Sequence, residues 1–184
     1  MKLDSRDVTL TAAFAALYTV INIVQTMTIG NPTIYGPIQL RVADALIPLA
    51  ALLGWPVVGG ITIGCFITNA YYLVSPMDVV LGPIANLIAA FLILVLRKRR
   101  LLACVVGALP IGIIVGGYLW LFFPPLEVFG SLPAWFASVA SITISSLVAV
   151  SVLGYTLLSV LSRKSILEPL KSHGLKVPAE SELC

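Results

Sequence analysis

Charge is almost missing from the middle of this chain. Between residues 8 and 162 it is confined to Arg41, Asp44, Asp78, Glu127 and the block Arg97-Lys98-Arg99-Arg100. A soluble domain of this length carries about a quarter charged residues. Here 10% are charged, 59% are hydrophobic, and the mean hydropathy is +1.06. An ordinary soluble fold is excluded, and the composition is that of an integral membrane protein. Alternation of apolar and polar residues at a period of two is also missing, which argues against a transmembrane β-barrel.

Chemistry-bearing motifs are equally scarce. Cys65, Cys104 and Cys184 lack metal-ligand spacing and His173 is the single histidine, so neither a zinc site nor a disulfide framework is supported. A P-loop is absent, so this chain does not hydrolyse ATP by that route. There is no His-Glu-x-x-His, no Gly-x-Ser-x-Gly and no dense aspartate motif, and nothing in the sequence points to an enzyme. No metal and no cofactor is expected in this chain. Without an internal repeat, the inverted-repeat architecture of many self-contained transporters is not supported.

What is present is a series of charge-free runs, 8–40, 45–77, 79–96, 101–126 and 128–162, each near or above the ~20 residues that cross the hydrocarbon as a helix. The second run is broken at Gly54-Trp55-Pro56, because proline removes a backbone donor and restricts the residue before it. The reading is an all-α integral membrane protein with six transmembrane helices near 8–28, 39–54, 56–74, 78–96, 101–123 and 133–162. The second is short and polar at its start, so full crossing in contact with lipid is not expected of it. Residues 1–161 form one membrane domain and 162–184 a polar cytoplasmic tail, expected to fray into solvent. The acidic Asp4 and Asp7 and the long apolar run make the first span a poor signal peptide, so it is read as retained.

Basic residues give the orientation. With the N-terminus inside, Lys2, Arg6, the Arg97–Arg100 block and Arg163-Lys164 all fall in the cytoplasm. That is the positive-inside pattern, and an even span count places both termini there. Turn-forming residues gather on the opposite face, in 29–38, in 75–78, and in 123–133, which holds Glu127.

An ionisable residue in lipid costs roughly 2.5–3.5 kcal/mol on insertion scales, so such residues face a partner or a cavity. Arg41 and Asp44, at i and i+3, are neighbours on one helix face. They form either a self-neutralising pair that fixes the second helix or a carboxylate aimed at a ligand with a guanidinium to orient it. Asn69, Asp78 and Asn86 gather toward the same outward side. Each has a plain alternative, interhelical hydrogen bonding for the amides and helix capping for Asp78. Tyr35, Tyr71, Tyr72, Trp120 and Trp135 are stacking candidates or members of the interfacial aromatic belt. Glu127 is a solvated loop charge or a ligand contact. Ala12 and Ala16 on the first span have the spacing that admits a second helix closely. Gly60/Gly64 and Gly112/Gly116 share that spacing and read as internal packing.

The run Tyr35-Gly-Pro-Ile-Gln-Leu-Arg-Val-Ala-Asp-Ala-Leu46 resembles the QueT family of substrate-binding (S) components of energy-coupling factor (ECF) transporters. So do the Pro-containing turn after it, Gly64-Cys-Phe-Ile-Thr-Asn69, Asp78 and Gly82. The likeness is best over residues 11–90, and its specific part is Tyr35–Arg41. It implies an S-component-like six-helix bundle in the cell membrane that captures a queuosine precursor, a 7-deazaguanine base, on the outer face. It also implies docking through Ala12 and Ala16 onto a membrane coupling (T) subunit, with two ATPase subunits driving release and no nucleic-acid partner. By that resemblance, Asp44 or Asp78 meets an aminomethyl group or guanine-like donors, Asn69 and Asn86 pair ring atoms, and Tyr71 or Tyr72 stacks. The chain departs from the family pattern in having Asp44 where glutamate is usual and aromatics where a Gly-rich segment stands, which bears on which 7-deazapurine is preferred. An S component for another vitamin (biotin or riboflavin class) and a free-standing transporter or channel remain as alternatives.

Overall fold

The computed structural model describes residues 4–30, 40–122 and 132–172. These residues form helices and no strand. Helix α1 spans Ser5–Ile29. Its first turn is closed by the Asp7 carboxylate, which accepts from the Asp4 N–H at 3.2 Å, and it ends at Gly30, whose φ of 96° suits a residue without a Cβ.

Helix α2, Val42–Leu53, opens with eight residues of tight 3-10 geometry through Val42–Leu49 and closes with one α-helical turn, Ala50–Leu53. Pro48 removes a donor inside it, and Gly54 at φ 75° stops it. Helix α3 (Trp55–Tyr72) starts on Pro56, where a missing N–H does no harm. It ends at Leu73, held left-handed at φ 44°. Helix α4 (Pro76–Val95) is capped by Ser75, whose Oγ accepts the Asp78 N–H at 3.1 Å. Helix α5 runs Arg100–Leu119, and α6 covers Ala134–Leu161 with a wide π-helical stretch at Leu147–Gly154.

Four helices, α1, α4, α5 and α6, are long and apolar enough to cross a membrane. Helix α3, with 18 residues, and the shorter apolar α2 complete the bundle. Large apolar side chains such as Val24, Phe66, Val80, Phe91 and Ile113 stay exposed on its outside, where hydrocarbon rather than water would cover them. The first part of the tail is helical where fraying is expected: Lys164–Ser172 forms a further helix, α7, and residues 173–184 lie outside the described residues. Leu167 of α7, 5% exposed, packs into the core.

Small residues let the helices close on one another. A Cβ on Gly60 would sit 2.7 Å from the Thr11 carbonyl, and one on Gly64 2.7 Å from the Ala15 carbonyl, so α1 and α3 meet backbone to backbone. Gly112 and Gly116 on α5 receive Thr143 and Val139 of α6 in the same way. Helix α2 is the innermost element. Its residues Asp44, Ile47, Pro48, Ala50, Ala51 and Leu52 are all buried, and Pro48 packs on Gly154 in the π-helical stretch of α6. At about 1.5–2 Å per residue it is too short for a ~30 Å hydrocarbon layer. It is a plug within the bundle, and Ala43 and Asp44 of its first turn are buried while Val42 is exposed.

Candidate functional site

The polar residues of the apolar helices converge around the first turn of α2. Asp44, 2% exposed, accepts the Tyr18 hydroxyl of α1 on Oδ1 at 2.6 Å. The same Tyr18 oxygen accepts the Asn86 amide of α4 at 2.8 Å, so one phenol links three helices. Two turns before Asn86, Asp78 lies at the start of α4. The Tyr118 hydroxyl of α5 donates to its Oδ1 at 2.5 Å, and Arg41 Nη2 approaches the same oxygen at 3.6 Å. Asn69 of α3 donates Nδ2–H to the Asp78 carbonyl at 2.8 Å. Gly82 leaves room for it, since a Cβ there would displace the Asn69 amide nitrogen.

Two pairings differ from the sequence reading. Spacing matches Arg41 with Asp44, but in the structure Arg41 ion-pairs with Asp78. The i, i+3 rule holds only when both residues are helical. Arg41 precedes the helix with extended backbone, φ −88° and ψ 105°, so its side chain leaves in another direction. The capping role considered for the Asp78 carboxylate falls instead to the Ser75 hydroxyl, which frees the carboxylate to turn inward.

The structure therefore brings Arg41, Asp44, Asn69, Asp78 and Asn86 together. It does not bring Tyr71, which is 72% exposed and meets Tyr72 edge to face with ring centroids 5.0 Å apart. Tyr72 is half-buried three residues after Asn69, and Tyr35 and Glu127 lie outside the described residues. Trp120 and Trp135 are exposed near helix ends, as an interfacial belt requires. Ala12 and Ala16 lie exposed on the side of α1 away from Tyr18.

Three participants escape a reading by charge and motif: Tyr18, Tyr118 and Gln25. Each is a polar tip on an apolar helix. The available signal was periodicity, because Phe14, Tyr18, Asn22 and Gln25 recur at helical spacing and form the buried stripe of α1.

Chemically, the cluster sets one guanidinium against two carboxyl groups, with two phenols and two amides completing the hydrogen bonds. On Asp78 the described interactions fall on Oδ1, which leaves Oδ2 as an acceptor for another donor. Among the described residues no group of His, Cys, Asp and Glu is placed to hold a metal ion. The arrangement suits recognition of a compact polar molecule that offers several donors and carries little or no negative charge.

No curated protein and no solved structure matches this chain. The family model described as QueT transporter matches residues 8–163, a stretch that takes in α1 to α6 and both buried aspartates. By that match, the chain belongs to the QueT transporter family.

Proposed function

We propose that this chain is the substrate-capture component of an ATP-driven ECF importer, and that it takes up a queuosine precursor, a 7-deazaguanine base, from the extracellular side. The observation that carries this reading is the convergence of Arg41, Asp44, Asp78, Asn69 and Asn86 inside a bundle that otherwise excludes charge. A guanine-like edge offers ring and exocyclic N–H donors to a carboxylate and an acceptor oxygen to a guanidinium. An aminomethyl substituent adds a cation, and two carboxyl groups against one guanidinium favour it. The amides of Asn69 and Asn86 complete the recognition of ring atoms, and Tyr72, half-buried three residues after Asn69, is the stacking candidate.

In this reading the protein is a multi-pass cell-membrane protein with six spans and cytoplasmic termini, α2 being the internal one. The chain has no P-loop, so ATP is hydrolysed by two partner ATPases, and a membrane coupling subunit docks on the exposed Ala12 and Ala16 of α1. The test is a binding titration of the purified protein in detergent with the aminomethyl 7-deazaguanine precursor, queuine, guanine, biotin and riboflavin. Submicromolar affinity for a 7-deazaguanine alone supports the proposal. Tight binding of biotin or riboflavin keeps the architecture and replaces the substrate. Uptake by this chain expressed without partners overturns the capture-component role.

A further inference from the structure

Gln25 lies two turns beyond Tyr18 on the buried stripe of α1 and is 9% exposed. Its side chain touches neither carboxylate by hydrogen bond. It binds the backbone on both sides of Arg41 instead. Nε2 donates to the Leu40 carbonyl at 2.6 Å, and Oε1 accepts the Val42 N–H at 3.0 Å. A residue in a neighbouring parallel strand would hold an extended residue through the same two bonds, its own N–H and C=O meeting the C=O before that residue and the N–H after it. A planar primary amide is the side-chain group that can imitate it, because it carries a donor and an acceptor together. Both bonds are part-buried, and losing either takes a partner from a backbone group at the entry of α2.

We infer that Gln25 is a positioning residue for ligand recognition: by acting as a surrogate peptide on either side of Arg41, it keeps that residue extended and so aims its guanidinium at Asp78. An Arg41 that joined the first turn of α2 would fall beside Asp44 on one helix face. Helix α1 thereby sets both charged residues at the entry of α2, Asp44 through the Tyr18 hydroxyl and Arg41 through the Gln25 amide. The assignment rests on the proposed function for its role in binding, but its structural half stands by itself.

The experiment uses the full chain in detergent, with Gln25→Ala and Gln25→Glu made in wild-type, Arg41→Ala and Asp78→Asn backgrounds. Gln25→Glu keeps the acceptor for Val42 and puts a carboxylate against the Leu40 carbonyl. Both variants are expected to weaken binding of the aminomethyl 7-deazaguanine by about tenfold or more, and to add no further loss once Arg41 is alanine, since coupled neighbours are non-additive. Amide hydrogen exchange at Val42 is expected to speed up in Gln25→Ala without ligand. Thermal unfolding is expected to show Asp78→Asn costing less in the Gln25→Ala background than in the wild type.

Wild-type affinity in Gln25→Ala, or losses that simply add to that of Arg41→Ala, overturns the positioning role. A wild-type chain that binds no 7-deazaguanine overturns the functional reading instead, and the exchange and unfolding cycle then decide the clamp alone. Unchanged Val42 exchange together with additive unfolding effects overturns it.

Discussion

The guanidinium of Arg41 and the carboxylate of Asp78 meet across two helices, Nη2 lying 3.6 Å from Oδ1. Arg41 is 13% exposed in its side chain and Asp78 2%, so the pair is largely removed from solvent. Breaking such a pair leaves an uncompensated charge in a low-dielectric interior. Asp78→Asn preserves shape and the amide capping while deleting the counter-charge. It is expected to destabilise the chain by roughly 3 kcal/mol and to abolish measurable binding of a cationic 7-deazaguanine. Unfolding in detergent and a binding titration read the two effects separately, and a variant as stable as the wild type would strike the pair from the account.

Tyr18 donates to Asp44 and accepts from Asn86 through one oxygen. Tyr18→Phe keeps the ring that packs on Gly64 and removes the oxygen. A buried acceptor and a buried donor then both lose a partner, at a cost of about 1–3 kcal/mol. The thermal midpoint is expected to fall, and a second substitution, Asn86→Ala, should cost less in the Tyr18→Phe chain than in the wild type.

The glycines separate into two kinds. A Cβ at Gly64 would stand 2.7 Å from the Ala15 carbonyl and 2.9 Å from Tyr18 Cβ, whereas one at Gly117 meets nothing within 4 Å. Gly64→Ala is therefore expected to push α1 away and cost about 1–3 kcal/mol, weakening binding through the displaced Tyr18. Gly117→Ala is expected to be neutral or stabilising by up to about 1 kcal/mol, from helix propensity alone. Side-by-side unfolding curves check both, and equal behaviour of the two variants would refute the backbone-contact argument for α1 and α3.

Ala12 and Ala16 lie exposed on α1, facing away from the Tyr18–Gln25 stripe. Ala16→Trp is expected to fold and bind ligand as the wild type does, because the added ring points out of the bundle. On the proposed importer role, uptake in cells that also express the proposed coupling and ATPase subunits is nonetheless expected to be lost. Retained uptake would move the docking surface elsewhere.

Much of the architecture was legible before any coordinates, for a simple reason. In a membrane the charge-free runs mark the apolar helices, four of which are long enough to cross, and Gly54-Trp55-Pro56 marks the turn between α2 and α3 in plain sight. The scarcity of charge also singled out Arg41, Asp44 and Asp78, since each is costly in lipid and so has to face protein. Asn69 and Asn86 stood out by the same reasoning. The helical tail did not. Lys164–Ser172 is polar enough to read as frayed, and in the structure Leu167 packs on the core.

Tertiary structure alone decided who pairs with whom. Sequence spacing joins Arg41 to Asp44, because neighbours on a helix are the only partners that a one-dimensional pattern can name. The extended backbone of Arg41 breaks that premise, and the choice passes to whatever α4 and α5 present nearby, which is Asp78 with Tyr118. Tyr18 and Gln25 were hidden for a related reason: an uncharged polar tip on an apolar helix is common, and its importance appears only when a neighbouring helix supplies its partner. The sequence alone determined that a few buried polar groups must be satisfied inside a membrane bundle. The packing of α1 against α2 and α3, with Tyr18 in reach of Asn86 on α4, decided which groups satisfy them, because hydrogen-bond partners are set by proximity and direction, and neither is written in the order of residues.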